Sequence, residues 1–295
     1  MKKLIGTGVA LVTPMNSQGE IDFASLKKLL AHTAKGVDYY VVMGTTGESA
    51  TLSKEEKKEV LTFVRENNKK NLPLVYGIGG NNTQSVIEEI KSTDLIGVDA
   101  LLSVSPYYNK PSQEGIYQHF KAIANKSPIP IILYNVPGRT ASNLTAETTL
   151  RLSRHKNIIG IKEASGNLEQ CMKIAHEKPK DFLLISGDDL LALPIYTMGG
   201  VGIISVLANA LPLAFQKIKH GVQTNKLAQA QAAQFSLLDI NGPMYEEGNP
   251  VGVKFLLNLM GVCEPHVRLP LVKASNSLQK KIRQLYTKLT SREKS

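Results

Sequence analysis

Eight short aliphatic runs, each followed by a longer amphipathic segment, constrain this chain more than any other feature. They cover residues 5–12, 37–43, 74–78, 100–104, 129–134, 158–162, 182–186 and 202–206. Several are apolar on consecutive residues, the pattern of strands buried on both faces. Between the runs, Phe23, Leu26, Leu29 and Leu30 share one helical face, as do Val60, Leu61 and Val64. Ser53-Lys54-Glu55-Glu56 is a capping-box pattern, and Thr83, Ser112, Thr145 and Asp188 are further expected helix starts. Strand then helix, eight times over, predicts an α/β fold of the (β/α)8 barrel type over residues 1–223. Residues 224–295 read as a C-terminal helical extension, with helices over 227–238, 251–260 and 277–289 broken by Gly242-Pro243, Pro265 and Pro270.

A doubly wound sheet has the same alternation but carries a dinucleotide fingerprint after an early strand. The nearest match, Gly77-Ile78-Gly79-Gly80-Asn81-Asn82, lacks the last glycine, and no Walker lysine motif is present. The length of 295 residues suits a barrel, which takes ~250. With 42% hydrophobic and 20% charged residues, the chain can bury a core without disulfides. No stretch of 18 apolar residues appears, so no membrane span is expected. Met1-Lys2-Lys3 and the apolar run after it resemble a signal peptide, but Gly6, Gly8 and Pro14 favour a buried first strand. Cys171 and Cys263 form no C-x-x-C pair, and a reducing cytoplasm is the expectation.

The formal charge of +10 raises the question of nucleic acid. Residues 271–295 hold Lys273, Lys280, Lys281, Arg283, Lys288, Arg292 and Lys294 against one acid, Glu293, so six of those ten charges fall in the last stretch. No RNA-binding signature, zinc finger or aromatic-interleaved basic stripe accompanies them, so a solvated helix face is expected and no nucleic-acid partner. A positive field can still steer small anions. The six histidines show neither H-x-H nor H-E-x-x-H spacing, so no metal is expected. There is no G-x-S-x-G elbow. Asp188-Asp189 reads as a helix cap with a first-turn charge.

Active sites of such barrels lie at the carboxyl ends of the strands. Gly44-Thr45-Thr46-Gly47-Glu48-Ser49 follows the second run, and Ser105-Pro106-Tyr107-Tyr108-Asn109 the fourth. Tyr134 to Thr140 ends the fifth, Lys162-Glu163-Ala164 the sixth and Ser186-Gly187-Asp188-Asp189 the seventh; Ile204-Ser205 lies in the eighth. Lys162 stands out. Its stem would enter an aliphatic barrel, where an ammonium is costly and a free amine is favoured. A free amine attacks a ketone to form an imine that acts as an electron sink. The alternative is a lysine that snorkels to the rim or pairs with a carboxylate. Tyr134 beside it can shuttle protons or simply pack, and Thr45 can relay them. Arg139 follows a Pro-Gly turn and is either a carboxylate fork or a surface charge. Gly44 and Gly47 allow close backbone approach to a carboxylate, or mark a tight turn.

Together, Gly44-Thr45-Thr46-Gly47-Glu48, Tyr134-Asn135-Val136-Pro137-Gly138-Arg139-Thr140 and Gly160-Ile161-Lys162-Glu163-Ala164 resemble the dihydrodipicolinate synthase family of pyruvate-dependent class I aldolases. The likeness runs along essentially the whole chain and includes Pro106 to Pro111. The lysine motif also marks N-acetylneuraminate lyase and keto-deoxy sugar-acid aldolases, which are the alternative; an idle barrel serving as a binding protein is a third reading. The resemblance implies that Lys162 forms an imine with pyruvate, whose enamine attacks the aldehyde of L-aspartate-4-semialdehyde, and that the amine then closes the ring by displacing Lys162. No separate cofactor is implied. Tyr134, Thr45 and Tyr108 match the proton relay, with Tyr108 reaching a neighbouring subunit's site. Thr45 and Thr46 match contacts to the pyruvate carboxylate, Arg139 the contact to the semialdehyde carboxylate, and Gly187 and Ile204 backbone lining. A homotetramer, a dimer of dimers, is implied. Some members bind L-lysine at an interface matching Ser49–Lys57, Asn81–Ser85 and Tyr107. Here Lys54 and Lys57 replace frequent histidines and Ser85 a glutamate, so weak or absent lysine inhibition is expected.

Overall fold

The computed structural model describes residues 2–292; Met1, Glu293, Lys294 and Ser295 lie outside it, the last charges of the basic stretch among them. Eight parallel strands close into a barrel in chain order: β1 (Gly6–Ala10), β2 (Tyr39–Val42), β3 (Leu74–Gly77), β4 (Ala100–Val104), β5 (Ile131–Asn135), β6 (Ile158–Glu163), β7 (Leu183–Ser186) and β8 (Gly202–Ser205). Each lies on one of the eight aliphatic runs. β1 pairs with both β2 and β8, which completes the closure. Helices lie outside, where their apolar faces cover the strands. The Ser53 capping box forms as expected, Ser53 Oγ accepting from the Glu56 N–H and the Glu56 carboxylate from the Ser53 N–H. Ser112 and Thr145 cap their helices. Thr83 does not: Asn82 is the cap, its Oδ1 accepting from the Gln84 and Ser85 N–H groups. Asp188 caps a 3-10 turn ahead of the helix Ala192–Thr197.

Beyond helix Pro212–Gln223, the chain forms helices Leu227–Phe235, Leu238–Asn241, Val251–Leu259 and Asn276–Arg292. The single helix expected over 227–238 is thus interrupted before Leu238. The apolar side of this region, including Val251, Val253, Phe255, Leu256 and Leu257, joins the same buried cluster as the barrel's outer layer. No helix among the described residues is long and apolar enough to cross a membrane.

Two packed layers follow from strand alternation. Ala10, Tyr39, Val41, Val75, Leu102, Ile132, Tyr134, Ile185 and Ile204 fill the barrel interior. Val9, Tyr40, Val42, Leu101, Ile131, Leu133, Ile161 and Leu184 face the helices. The sixth strand breaks the rhythm: Ile131 pairs with Ile158, but Ile132 pairs with Gly160, so Ile159 is an extra residue. This β-bulge inverts the facing of everything after it. Gly160 tolerates it because a Cβ there would lie 2.7 Å from both Cβ and O of Leu183.

One buried histidine ties the helical shell to pH. His119 is 6% exposed, shares a 2.9 Å hydrogen bond with Thr83 Oγ1 through Nδ1, and has its pKa lowered by burial to about 4. The unfolded chain takes up that proton near pH 6.5, the folded one only near 4. Stability from this group is therefore complete above 6.5 and is lost as pH falls toward 4, by on the order of 3 kcal/mol in total. His119→Gln is expected to lose less stability than the parent between pH 7 and 4.5, read as urea midpoints; equal losses would show that His119 does not set the slope.

Candidate active site

The bulge at Ile159 decides where Lys162 points. With unbroken alternation from Ile159 inward, Lys162 would face the helices. With the extra residue, Lys162 pairs with inward-facing Tyr134 and with inward-facing Ile185. Its Nζ lies over the Tyr134 ring, 4.4 Å from the centroid. At 5% exposure it does not snorkel, and no carboxylate among the described residues pairs with it. Gly187, on the next strand's end, makes room: a Cβ there would lie 3.0 Å from Lys162 Cε and 3.1 Å from Cγ. Ile204 is fully buried in the interior cluster that includes Tyr134.

Thr45 opens a 3-10 turn, Thr45–Gly47, directly after β2. Thr45 is exposed at the mouth and shares a cavity of about 100 Å³ with Tyr134, Gly79, Leu102 and Val104. Thr46 is buried. The N–H groups of both threonines donate to no acceptor among the described residues, which leaves two donors for an anion. Arg139 lies in the short helix Pro137–Thr140 that leaves β5. Its guanidinium is exposed and without an ion-pair partner among the described residues. Thr140 Oγ1 donates to Ser142 O at 2.7 Å and holds that turn. Tyr108 stands apart: it is 88% exposed with φ +72° and lines none of this chain's own mouth. The structure therefore gathers Lys162, Tyr134, Thr45, Gly187 and Ile204 within one protomer and leaves Arg139 on the rim and Tyr108 pointing away.

Behind Lys162, the outward-facing carboxylate of Glu163 is buried without a cation. Asn135 Nδ2 donates to it at 3.0 Å, Gln170 Nε2 at 2.8 Å and the Ser165 N–H at 2.7 Å. Such a fully bonded buried network fixes the two strands that carry Tyr134 and Lys162. Asp188 does act as a cap, its carboxylate accepting from the Leu190 N–H. Asp189 is the acid of the first turn, as expected. It is buried, it accepts from the Leu207 N–H and the Tyr245 hydroxyl, and burial pushes its pKa up.

Residues from the C-terminal region reach the threonine turn, which the sequence pattern did not disclose. Asn249 Nδ2 donates to Thr46 Oγ1 at 3.0 Å. Lys254, fully buried, lies 2.5 Å from Glu48 Oε1 and donates to His266 O at 2.7 Å; desolvation lowers its pKa, partly offset by Glu48. The Arg268 N–H donates to the other Glu48 oxygen, and its guanidinium grips Glu56 and Thr51 O. A lysine inside the apolar segment 251–259 was the available signal, since a lone buried cation needs a partner. Lys57 lies 3.8 Å from Glu89, and both line the cavity shared by Thr45 and Tyr134. Part of the positive charge expected there is thus already neutralised.

The family model of the dihydrodipicolinate synthetase family matches residues 3–289. The 4-hydroxy-tetrahydrodipicolinate synthase of Cytophaga hutchinsonii is 53% identical over 98% of each chain. Among solved structures, the lysine-bound dihydrodipicolinate synthase of Cyanidioschyzon merolae is 38% identical with a TM-score of 0.93, covering 98% of this chain and 99% of that one. The pyruvate complex of the Acinetobacter baumannii enzyme is 37% identical with a TM-score of 0.93, covering 97% and 99%.

Proposed function

This chain belongs to the dihydrodipicolinate synthetase family, and on that premise we propose that it condenses pyruvate with L-aspartate-4-semialdehyde through an imine on Lys162. The product is 4-hydroxy-tetrahydrodipicolinate, on the route to diaminopimelate and lysine. The observation that carries the reading is the inward Lys162 amine, water-poor and without a carboxylate partner, lying against Tyr134. The amine adds to the pyruvate ketone and expels water. Loss of a methyl proton gives the enamine, which attacks the aldehyde carbon. The semialdehyde's own amine then adds to the imine carbon and releases Lys162. Tyr134 is placed to pass the protons, with Thr45 across the shared cavity. The threonine turn receives the pyruvate carboxylate, Arg139 the semialdehyde carboxylate, and Gly187 and Ile204 line the pocket. No dissociable cofactor or metal enters this scheme, because the imine is the electron sink.

Tyr108 serves a second copy's site in this reading. Its exposure in the protomer is what an interface aromatic shows before its partner docks, and the assembly is a homotetramer working in the cytoplasm. The test is turnover with pyruvate plus the semialdehyde, set against pyruvate plus N-acetylmannosamine. Turnover with the sugar alone would overturn the reading in favour of a sugar-acid lyase. The same assay titrated with L-lysine should show little inhibition, because Lys54 is exposed and Lys57 occupies the nearby Glu89 carboxylate. Half-inhibition below about 1 mM would contradict that charge argument.

A further inference from the structure

Thr46 carries a hydroxyl whose direction is set from outside the barrel. The hydroxyl oxygen accepts a hydrogen bond from Asn249 Nδ2 at 3.0 Å, between residues that are 2% and 8% exposed. An oxygen that accepts from an amide on one side turns its own proton to another side. Asn249 Oδ1 is buried and has no partner among the described residues, so this contact is the amide's sole side-chain hydrogen bond. The contact is braced on both sides. Ahead of it, Thr13 Oγ1 donates to Gly47 O at 2.7 Å. Behind it, Glu48 is held by Lys254 and by the Arg268 N–H. Glu48 is itself a non-glycine residue in the left-handed region, φ +55°, a conformation that such anchoring sustains.

We propose that Asn249, from the C-terminal helical region, is a positioning residue that fixes Thr46 as a hydrogen-bond donor to the pyruvate carboxylate, with the buried Glu48–Lys254 pair holding the turn in register. The proposal rests on the reading that Thr46 receives that carboxylate. It gives the C-terminal region a part in substrate recognition besides covering the barrel. It also makes a directional statement: a residue at 249 that accepts from Thr46 instead of donating to it should draw the proton away from the substrate.

The experiment compares Asn249→Ala and Asn249→Asp by steady-state kinetics and by melting temperature. Asn249→Ala is expected to raise the pyruvate KM roughly 3- to 10-fold, the loss of one neutral hydrogen bond, with the semialdehyde KM little changed. Asn249→Asp keeps the shape but offers only acceptors and a negative charge, so its pyruvate KM should rise at least about tenfold further. In a Thr46→Val background, adding Asn249→Ala should change the pyruvate KM by less than about twofold, because the coupled hydroxyl is already gone. A structural role alone would lower the melting temperature and move both Michaelis constants together; that result overturns the proposal. So does an Asn249→Asp variant that saturates with pyruvate like the parent, and this isosteric variant carries the test if the alanine variant fails to fold. A parent enzyme that forms no imine with pyruvate would instead sink the reading of the reaction, and the two failures are thereby told apart.

Discussion

Borohydride added to the enzyme with pyruvate is expected to label one lysine, Lys162, and to stop turnover. Two lysines among the described residues are strongly buried, Lys162 and Lys254, so the label discriminates between them. Lys254 is the more buried of the two, at 0% against 5%. It is also fully engaged: its ammonium lies against the Glu48 carboxylate and donates to His266 O. Lys254 is thus taken up by two acceptors, and it lies on the helix Val251–Leu259, outside the barrel strands. Lys162 has no such partner, and its amine faces Tyr134 in the mouth where a ketone can enter. An imine forms on an amine that a ketone can reach, so partner and position both select Lys162. Lys162→Ala should lower kcat by ~10⁴-fold or more, the scale of losing a nucleophile that works as part of a unit. Lys254→Met should instead cost about 3–5 kcal/mol of stability, because it leaves the Glu48 carboxylate buried and unpaired. A label on Lys254, or an active Lys162→Ala, would show that the wrong amine has been assigned.

The barrel was legible because its evidence is local and repeated. Each aliphatic run encodes its own burial, so eight strands could be placed with their ends off by a residue or two, as in residues 5–12 against Gly6–Ala10. The caps at Ser53, Ser112 and Thr145 were equally local. The helix Thr83–Ser92 does start at Thr83, but the cap is Asn82 before it: both are good capping residues and only backbone geometry chooses between them. The inward face of Lys162 was a different matter. A strand's period assigns faces only while the alternation is unbroken, and the Ile159 bulge breaks it between the last clear aliphatic and the lysine. The place of Lys162 at the end of an aliphatic run gave the expectation of a stem inside the barrel; the register gives the physical reason for it. Asn249, Lys254 and Arg268 were harder still, since a contact spanning some two hundred residues leaves no periodic trace. The sequence carried one hint, the charge amid Val253 and Phe255.

Arg139→Ala is expected to raise the KM for the semialdehyde by roughly 10²-fold while the pyruvate KM changes little. The guanidinium is presented by the turn after β5, the strand that carries Tyr134, so it lies on the carboxyl-end rim of the barrel. The turn is stiff. The Arg139 N–H donates to Val136 O, Thr140 Oγ1 closes onto Ser142 O, and Ala141 takes the left-handed conformation that ends the helix. Exposure at present does not weaken the expectation. A surface pair in water would be worth at most about 1 kcal/mol, but a second substrate covering the mouth removes water from the contact. A charge-assisted fork on a carboxylate is then worth ~2–3 kcal/mol, and that converts to the stated factor. Arg139→Lys should recover part of the loss, since it keeps the charge but cannot form two parallel hydrogen bonds. In the proposed reaction pyruvate is held elsewhere, by the threonine turn and the imine, so its saturation should be insensitive. Equal effects on both substrates would place Arg139 in the general field of the mouth instead of on the semialdehyde, and no effect at all would leave it a solvated surface charge.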